Sequence, residues 1–474
     1  MTTIMNIWNY IGGSFKKTVS KSFVCALSFF AVSSCDDYVT VDLPPTQLTA
    51  SAVFEDKMSA NAAMVEVYVK MRKTGIFSGT SSGVSVAIGA YADELDYFGD
   101  DTKGISFFYA NALLPSFGDV STLWNNSYSQ IYGANAVLEG IQKSTALLQT
   151  DRDQLRGEAL FARSLVHLYL VQLYGATPYI TSTDYRINSK AAKMSAMDLY
   201  PKLIADLEEA STLLPEAYIS TDRVRPNRFA ARALLARVYL YNGNWAEAAN
   251  EASAVLNHTD LYRSVVNLAA TFKKQSTTTI WQFMPGVAGQ NTDEATTFIF
   301  TAGPPPLVVL SPSLMSAFEA GDLRKSTWTK AVTKASSTWY HADKYKTKGN
   351  SGTSVEYSVV LRLSEQYLIR AEARARQGDL IGAKEDLNVI RTAAGLGNTT
   401  AVTDIAIIDA VLRERRVELF TEYGHRFFDL KRYGTVNAVL SVVKPGWEAT
   451  DSLLPLPETE LLVNPNLLPQ NPGY

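Results

Sequence analysis

The chain is 474 residues long, with 46% hydrophobic and 19% charged residues, a composition typical of a globular protein that buries a sizeable core. Its formal net charge is −3. This weak acidity argues against a nucleic-acid partner, because proteins that bind nucleic acid concentrate basic residues on one face.

The N-terminal segment has the pattern of an export signal. Asp and Glu are absent up to residue 34, Lys16, Lys17 and Lys21 form a basic region, and the apolar run "FVCALSFFAV" occupies residues 23–32. This run is about half of the ~20 apolar residues that span a bilayer. Residues 1–34 are therefore predicted to be a removable signal peptide and not a permanent anchor.

The residue that follows this segment is Cys35. Residues 32–35, Val-Ser-Ser-Cys, resemble the lipobox of bacterial lipoproteins, in which the cysteine receives diacylglycerol and becomes the first residue of the mature protein. The resemblance implies lipid attachment at Cys35, and more than one acyl chain is needed for stable membrane anchoring. Cys25 leaves with the signal, so no internal disulfide is expected. A polar, proline-containing linker is predicted over residues 35–54.

Beyond the linker, apolar residues recur at helical spacing and predict one mainly α-helical domain over residues 55–474. The helices predicted from this periodicity occupy residues 59–73, 123–148, 152–174, 196–214, 227–241, 245–256, 363–376, 380–393 and 404–422.

Two of the predicted helix pairs, at residues 227–257 and 363–394, share the spacing of tetratricopeptide (TPR) repeats. Gly243 and Gly378 each follow an alanine by seven residues, and each precedes a large residue by two positions and another alanine by five. Small residues let paired helices approach closely, and glycine permits the tight turn between them. The predicted fold is therefore mainly α, a TPR-like superhelical scaffold of helix pairs.

Two long segments without helical periodicity interrupt this scaffold, at residues 74–115 and 276–358. Both contain many turn-forming residues, and the second is rich in Thr, Gly and Pro. Long irregular insertions in a compact domain are usually functional. The helices are therefore predicted to be the scaffold and the two insertions the ligand face.

The most specific motifs lie in the C-terminal third. "RERRVELFTEYGHRFFDLKRYG" at residues 413–434 and "LLPLPETELLVNPNLLPQNPGY" at residues 453–474 resemble two blocks of the SusD/RagB family. "LWNNSYSQIYGANAVLE" and "RSLVHLYLVQLYGATPYI", at residues 123–139 and 163–180, resemble two more. With the lipobox and the helix pairs, these segments cover most of the chain. The chain is thus similar to the nutrient-binding lipoproteins of that family.

The resemblance implies a function based on binding without catalysis. The protein would capture oligosaccharides at the cell surface and deliver them to a partner SusC-like, TonB-dependent transporter in the outer membrane. It would be anchored there through its lipid, and Asp36 and Asp37 resemble a surface-export signal of the family. A peptide binder in the same transporter system and a TPR-type protein-interaction scaffold are alternatives, and a glycoside hydrolase is the weakest one.

The charged residues of the block at 413–434 have two interpretations. An enzyme could use Glu418 as an acid and His425 as a base. The favoured interpretation is a set of buried arginine–carboxylate pairs that join the last helix to the body. Glycoside cleavage also needs two carboxylates that flank one bond, and the sequence shows no such pair. The residues concerned are Arg415, Arg416, Glu418, His425, Arg426 and Asp429.

No cofactor is predicted. The four histidines are scattered, and no two of them have the spacing of metal ligands. An acidic cluster in the first insertion could hold calcium, but it lacks the spacing of an EF-hand loop. A solvated or ligand-facing loop is the favoured interpretation of this cluster, which comprises Asp93, Glu94, Asp96, Asp100 and Asp101.

Sugar recognition needs flat apolar faces for the rings and nearby amides or carboxylates for the hydroxyl groups. In the family that the chain resembles, loops build the ligand platform. The candidate glycan-binding residues are therefore aromatic and polar residues of the two insertions, namely Tyr97, Phe107, Phe108, Tyr109, Asp96, Asp100, Asn111, Trp281, Trp339 and Tyr340.

Overall fold

A computed structural model of the protein describes residues 52–100, 104–264 and 267–474. The predicted signal peptide, the lipid attachment site at Cys35 and most of the linker lie outside these residues. Eighteen α-helices are present in the described ranges. They are α1 Lys57–Lys73, α2 Val84–Tyr91, α3 Gly104–Tyr109, α4 Gly118–Lys143, α5 Gln149–Tyr174, α6 Tyr185–Asn188, α7 Ala196–Leu213, α8 Arg228–Asn242, α9 Trp245–Leu256, α10 Asp293–Phe298, α11 Pro312–Ala317, α12 Leu323–Trp328, α13 Leu363–Arg376, α14 Leu380–Ala393, α15 Asp404–Glu418, α16 His425–Arg432, α17 Val436–Val443 and α18 Glu458–Val463.

Six short strands form three antiparallel pairs: β1 with β3, β2 with β6, and β4 with β5. The strands are β1 Leu95–Tyr97, β2 Thr279–Phe283, β3 Val308–Leu310, β4 Thr329–Lys334, β5 Ser337–Ala342 and β6 Ser358–Arg362. Within the described part of the chain, no helix is long and apolar enough to cross a membrane.

All nine predicted helices form, and α9, α13 and α14 have the predicted ends. The helix predicted over residues 404–422 ends earlier, at Glu418, because Thr421 and Tyr423 adopt left-handed φ values of 55° and 46° that end a right-handed helix. The helix predicted over residues 123–148 ends at Lys143, where Ser144 is extended and its hydroxyl donates to the Phe54 carbonyl.

The long helices pack as a continuous array. Helix α4 packs on α5, α5 on α7, α7 on α8, α8 on α9, α9 on α13, and α13 on α14. The two TPR-like pairs, α8–α9 and α13–α14, are far apart in sequence but become neighbours through the contact between α9 and α13. The mainly α, TPR-like scaffold is thus confirmed.

The TPR-like spacing has the predicted structural basis. Gly243 and Gly378 adopt left-handed φ values of 81° and 84° at the turns between the paired helices, a conformation that glycine adopts without a steric penalty. The alanines at the matching positions are completely buried where the helices approach each other: Ala236, Ala248, Ala371 and Ala383.

The prediction that the two insertions lack helices is wrong. The first insertion contains α2, β1 and α3, and the second contains α10 to α12 and strands β2 to β6 in whole or in part. Every residue of α2 is buried, so this helix has no polar face and no amphipathic periodicity in its sequence. Strand β2 is buried along its whole length. The insertions are therefore partly core, and only part of their surface is available to a ligand.

Candidate ligand-binding site

The two insertions meet through a short strand pair. Strand β1 of the first insertion pairs with β3 of the second, with Asp96 opposite Val309 and Tyr97 opposite Val308. The pairing continues one residue further, where the Phe98 amide donates to the Leu307 carbonyl at 2.8 Å. Because side chains alternate along a strand, Asp96 and Phe98 lie on the same face as Val309.

The β4–β5 hairpin of the second insertion adds Trp339 to this face. Trp339 lies opposite Val332, and its ring packs on a small cluster of Phe300, Val309 and Val332. The other side of the ring is against Gly303, where a Cβ would lie only 2.4 Å from Trp339 Cζ3. The tryptophan is therefore fixed in position while part of it remains exposed.

Phe98, which is exposed, and Trp339, which is half-buried, form a pair of aromatic rings that we call the aromatic ledge. Their centroids are 6.3 Å apart, and the rings are nearly perpendicular, at 83°. Phe98 is 43% exposed, so part of its ring is an apolar surface open to a ligand. One ring comes from each insertion, so the ledge exists only when both insertions are folded.

Polar groups border the ledge. The Tyr109 hydroxyl donates to the Asp96 carboxylate, and the Tyr109 ring lies 6.3 Å from that of Tyr97. The Lys444 Nζ lies 3.8 Å above the Tyr109 ring and donates to the Ala90 carbonyl at 2.7 Å. Asp96 and Tyr109 are half-buried polar groups near Phe98 that suit a polyhydroxylated ligand, whereas Lys444 is only 6% exposed and contacts the Tyr109 ring.

The charges at this border are partly desolvated. Burial lowers the pKa of Lys444 to about 8, with an opposing effect from the nearby Asp96. Burial also raises the pKa of Asp96 above its usual value, against the effects of Lys444 and of the Tyr109 hydrogen bond. Of the two groups, only Asp96 is half-exposed, so its carboxylate is the one that a ligand hydroxyl could reach.

Of the candidates named from sequence, Trp339 forms part of the ledge, and Asp96 and its partner Tyr109 lie near Phe98. Tyr97 precedes Phe98 and so projects from the opposite face of the strand, where it packs on the main core. Asp100 is exposed, and its carbonyl accepts from the Tyr97 hydroxyl at 2.6 Å.

Trp281 cannot be part of an exposed platform. It is completely buried on β2, between Tyr68, Phe161 and Phe283, and its indole N–H donates to the Val224 carbonyl at 3.2 Å. Its ring and its polar group are thus both satisfied inside the core. The sequence interpretation of Trp281 as a glycan contact is corrected by this burial.

Phe108 and Asn111 are also structural residues. Phe108 is 3% exposed and packs edge-on against Tyr91. Asn111 has a left-handed φ of 52°, and its amide donates to the Tyr91 carbonyl at 3.0 Å, which fixes the turn after α3. Neither side chain is available to a ligand at the surface.

Phe107 and Tyr340 are half-buried and lie against the main core. Phe107 packs on Phe117 with centroids 4.4 Å apart. Tyr340 follows Trp339 in β5 and so projects from the opposite face of the hairpin. These two residues therefore do not extend the ledge formed by Phe98 and Trp339.

Sequence reasoning missed three residues of this site: Phe98, Gly303 and Lys444. Phe98 had a detectable signal, since it is two positions from Asp96 in a segment with β-strand character. Gly303 and Lys444 had none, because only the tertiary fold brings them to Trp339 and Tyr109.

The enzyme interpretation of Glu418 and His425 fails on their surroundings. Glu418 is buried and accepts from Arg362 at 2.5 Å and Arg324 at 2.9 Å. Burial opposes its ionisation, but these two arginines outweigh burial and lower its pKa to about 2. Burial and then the nearby Arg237 hold the pKa of His425 well below its usual value. Glu418 is held as an anion and His425 is a very weak base, so neither is suited to proton transfer at neutral pH.

The other charged residues of this block make the predicted structural pairs. Arg415 pairs with Asp429 at 2.7 Å, and both Arg416 and Arg426 pair with Asp93, at 2.7 and 2.8 Å. The prediction of buried arginine–carboxylate pairs is confirmed. The pairing of Asp93 with both arginines corrects its interpretation as part of a solvated acidic loop. Asp93 is 4% exposed, and neighbouring Glu94 is 2% exposed. Within the described ranges, no group of three or more His, Cys, Asp or Glu could hold a metal ion.

Taken together, the fold and the site define a helical-repeat protein with a candidate binding surface on segments inserted between its long helices. Two family models match the chain. A model described as "SusD-like_3: Starch-binding associating with outer membrane" matches residues 108–240, and the SusD family model matches residues 261–474. The chain belongs to the SusD/RagB family.

Individual relatives are consistent with this assignment. The chain is 28% identical to SusD-like protein P2 of Formosa agariphila, over 75% of this chain and 81% of that protein. It has the fold of a SusD superfamily protein from Bacteroides vulgatus, with a TM-score of 0.78, 19% identity, and coverage of 88% of this chain and 99% of the other. It also has the fold of surface glycan-binding protein A of Bacteroides thetaiotaomicron in complex with laminarihexaose, with a TM-score of 0.73, 19% identity, and coverage of 87% and 99%.

Proposed function

We propose that this protein is a cell-surface lipoprotein that binds oligosaccharides at the aromatic ledge and delivers them to a partner TonB-dependent outer-membrane transporter, without cleaving them. The observation that carries the proposal is the pair of rings Phe98 and Trp339, of which Phe98 is exposed and Trp339 packs on Phe300, Val309 and Val332. Asp96 lies on the same strand face as Phe98 and accepts from Tyr109. Sugar rings bind to such surfaces through their C–H faces, and their hydroxyl groups bind to the polar border.

Family membership supports the class of ligand. A family model described as starch-binding matches the chain, and one solved protein of the same fold is in complex with laminarihexaose. The absence of catalysis is supported by the surroundings of Glu418, which two arginines hold as an anion, and of His425, whose pKa lies well below its usual value. A peptide ligand is the alternative outcome of the binding experiment.

The test is isothermal titration of the protein with neutral oligosaccharides that include laminarihexaose, beside a pool of peptides. For a sugar that binds the wild type, Trp339→Ala should weaken the protein's affinity by about tenfold or more. The loss of one stacked ring costs about 1.4 kcal/mol of binding free energy. Trp339→Phe, the matched control, keeps an aromatic face and should retain most of the affinity.

Three results would contradict the proposal: binding to peptides but not to sugars, unchanged affinity in Trp339→Ala, or the appearance of shorter sugars during incubation. The first result would show that the protein binds peptides, and the second would show that the ledge is not part of the binding site. The third would show that the protein is an enzyme.

A further inference from the structure

A second cleft, of about 260 Å³, lies between α4, the segment around Pro178 and the C-terminal segment that includes α18. It shares no lining residue with the aromatic ledge. Its volume is just below the ~300–1,000 Å³ of typical small-molecule sites, so a ligand of one or two sugar rings suits it.

The sequence of α4 builds the aromatic wall of this cleft. Trp124, Tyr128 and Tyr132 are spaced by four residues and so lie on one face of the helix. Trp124 is buried and packs on Tyr128 with centroids 4.8 Å apart, while Tyr132 is 54% exposed. The Tyr128 hydroxyl donates to the Pro178 carbonyl at 3.0 Å, which fixes its ring. The three rings thus extend from the buried base of the cleft to its solvent-exposed edge.

The side chains of three asparagines and one glutamate line the cleft, and Asn464 among them donates to the Ala191 carbonyl and accepts from the Asn466 amide. Asn125 is exposed. Asn188 uses its amide N–H to donate to the Ser182 carbonyl at 2.7 Å, so its side-chain oxygen can accept another bond. Glu460 accepts from the Trp124 indole N–H, and its half-buried setting raises its pKa above the usual value.

The charge of the lining restricts the ligand class. Glu460 is the only charged residue among the described residues that line the cleft, and it is acidic. With no lysine or arginine present, sulfated or uronic sugars would meet repulsion and find no compensating cation. An uncharged polyhydroxylated ring can stack on Tyr132 and hydrogen bond to the amides and the carboxylate.

We propose that this cleft is a second carbohydrate site, which takes one or two neutral sugar rings stacked on Tyr132. The inference rests on the proposed function for the class of ligand and adds a second place where that ligand binds. Two sites on one chain would raise the apparent affinity for a long polymer that can engage both.

The experiment is saturation-transfer NMR and titration with laminarihexaose, maltose and cellobiose, in a background in which the ledge is removed by Phe98→Ala with Trp339→Ala. Binding at millimolar concentrations should persist in this background. Adding Tyr132→Ala to this background should then weaken the sugar affinity by about tenfold, the loss expected for one stacked ring. The matched control is Tyr185→Ala, which removes a 76% exposed tyrosine that does not line the cleft, and it should change nothing.

Each outcome separates this inference from the proposed function. If the ledge variant binds no neutral sugar, or if Tyr132→Ala and Tyr185→Ala behave alike, the cleft is not a sugar site. If glucuronic acid binds the ledge variant better than neutral sugars do, the assigned ligand class is wrong. If the ledge substitutions leave sugar binding unchanged while Tyr132→Ala removes it, the ledge is not a sugar site and the cleft is one.

Discussion

At the scale of single residues, two tryptophans of the second insertion have opposite roles. Trp281 and Trp339 lie in the same 83-residue segment of residues 276–358, yet one is fully buried and the other supports an exposed ledge. Their local sequences do not distinguish them, because burial depends on which elements pack over each strand. Trp281 lies on β2, which contacts α1 and α8, whereas Trp339 lies on a surface hairpin.

Glu418 illustrates how a buried ion network makes stability depend on pH. Its pKa in the folded protein is about 2, below the ordinary value of 4.5, because Arg362 and Arg324 outweigh burial. A lowered pKa in the folded state contributes stability that is complete above the ordinary pKa and is lost as the pH falls toward 2. The free energy of unfolding should therefore drop by about 3 kcal/mol from this group between pH 4.5 and 2.

The measurement is urea unfolding at several pH values for the wild type and for Glu418→Gln. The variant should be less stable at pH 7, because Arg324 and Arg362 each lose one of their carboxylate partners, and its stability should depend less on acid. Equal acid dependence of the two proteins would show that Glu418 does not carry this effect.

At the scale of elements, the β1–β3 pair is the connection that makes two distant insertions into one surface. Three residue pairs set its register and place Asp96 and Phe98 beside the hairpin that carries Trp339. The long helices supply the rigid frame, and their sequence periodicity made them predictable. Short strand pairs of this kind have too few residues for a detectable period, so their partners cannot be assigned from sequence.

Gly303 provides a prediction about this surface. A Cβ at residue 303 would lie 2.4 Å from Trp339 Cζ3, so Gly303→Ala should displace the tryptophan ring from the ledge. We expect oligosaccharide affinity to fall by about tenfold, with little change in the unfolding midpoint, since the contact is at the surface. Titration and thermal unfolding measure these two quantities.

Gly397→Ala is the matched control for this substitution, because a Cβ there meets nothing within 4 Å. It should leave both affinity and stability unchanged. If Gly303→Ala binds as well as Gly397→Ala does, the position of the Trp339 ring does not matter for binding.

At the scale of the whole molecule, the proposed role requires the folded body to be attached to a membrane. The predicted attachment residue, Cys35, lies outside the described residues, and attachment remains a prediction from the lipobox-like sequence. Cys35→Ser should remove the lipid and release the protein from the membrane fraction, because the acyl chains on Cys35 are the predicted attachment.

Cell fractionation and the mass of the mature N-terminus measure this effect. Cys25→Ser is the matched control, since this cysteine is predicted to leave with the signal peptide, and it should not change attachment. Retention of Cys35→Ser in the membrane fraction would contradict the assignment of the lipid site.

The sequence by itself determined the scaffold. Periodic apolar residues predicted nine helices, and the spacing around Gly243 and Gly378 predicted the TPR-like turns. The C-terminal motif predicted that its arginines pair with carboxylates, and the structure supplied the partners, such as Asp429 for Arg415. These features depend on residues close together in the chain or on a pattern repeated within the family. Local interactions of this kind are encoded in short windows of sequence.

Only the tertiary structure decided which side chains form the ledge. The candidates Trp281, Phe108 and Asn111 are buried, whereas Phe98, Gly303 and Lys444 come from three separate parts of the chain and gather around Trp339 and Tyr109. The physical reason is that exposure is a property of packing between distant segments. An aromatic residue is equally apolar in the core and on a binding surface, so its type does not reveal which of the two it occupies.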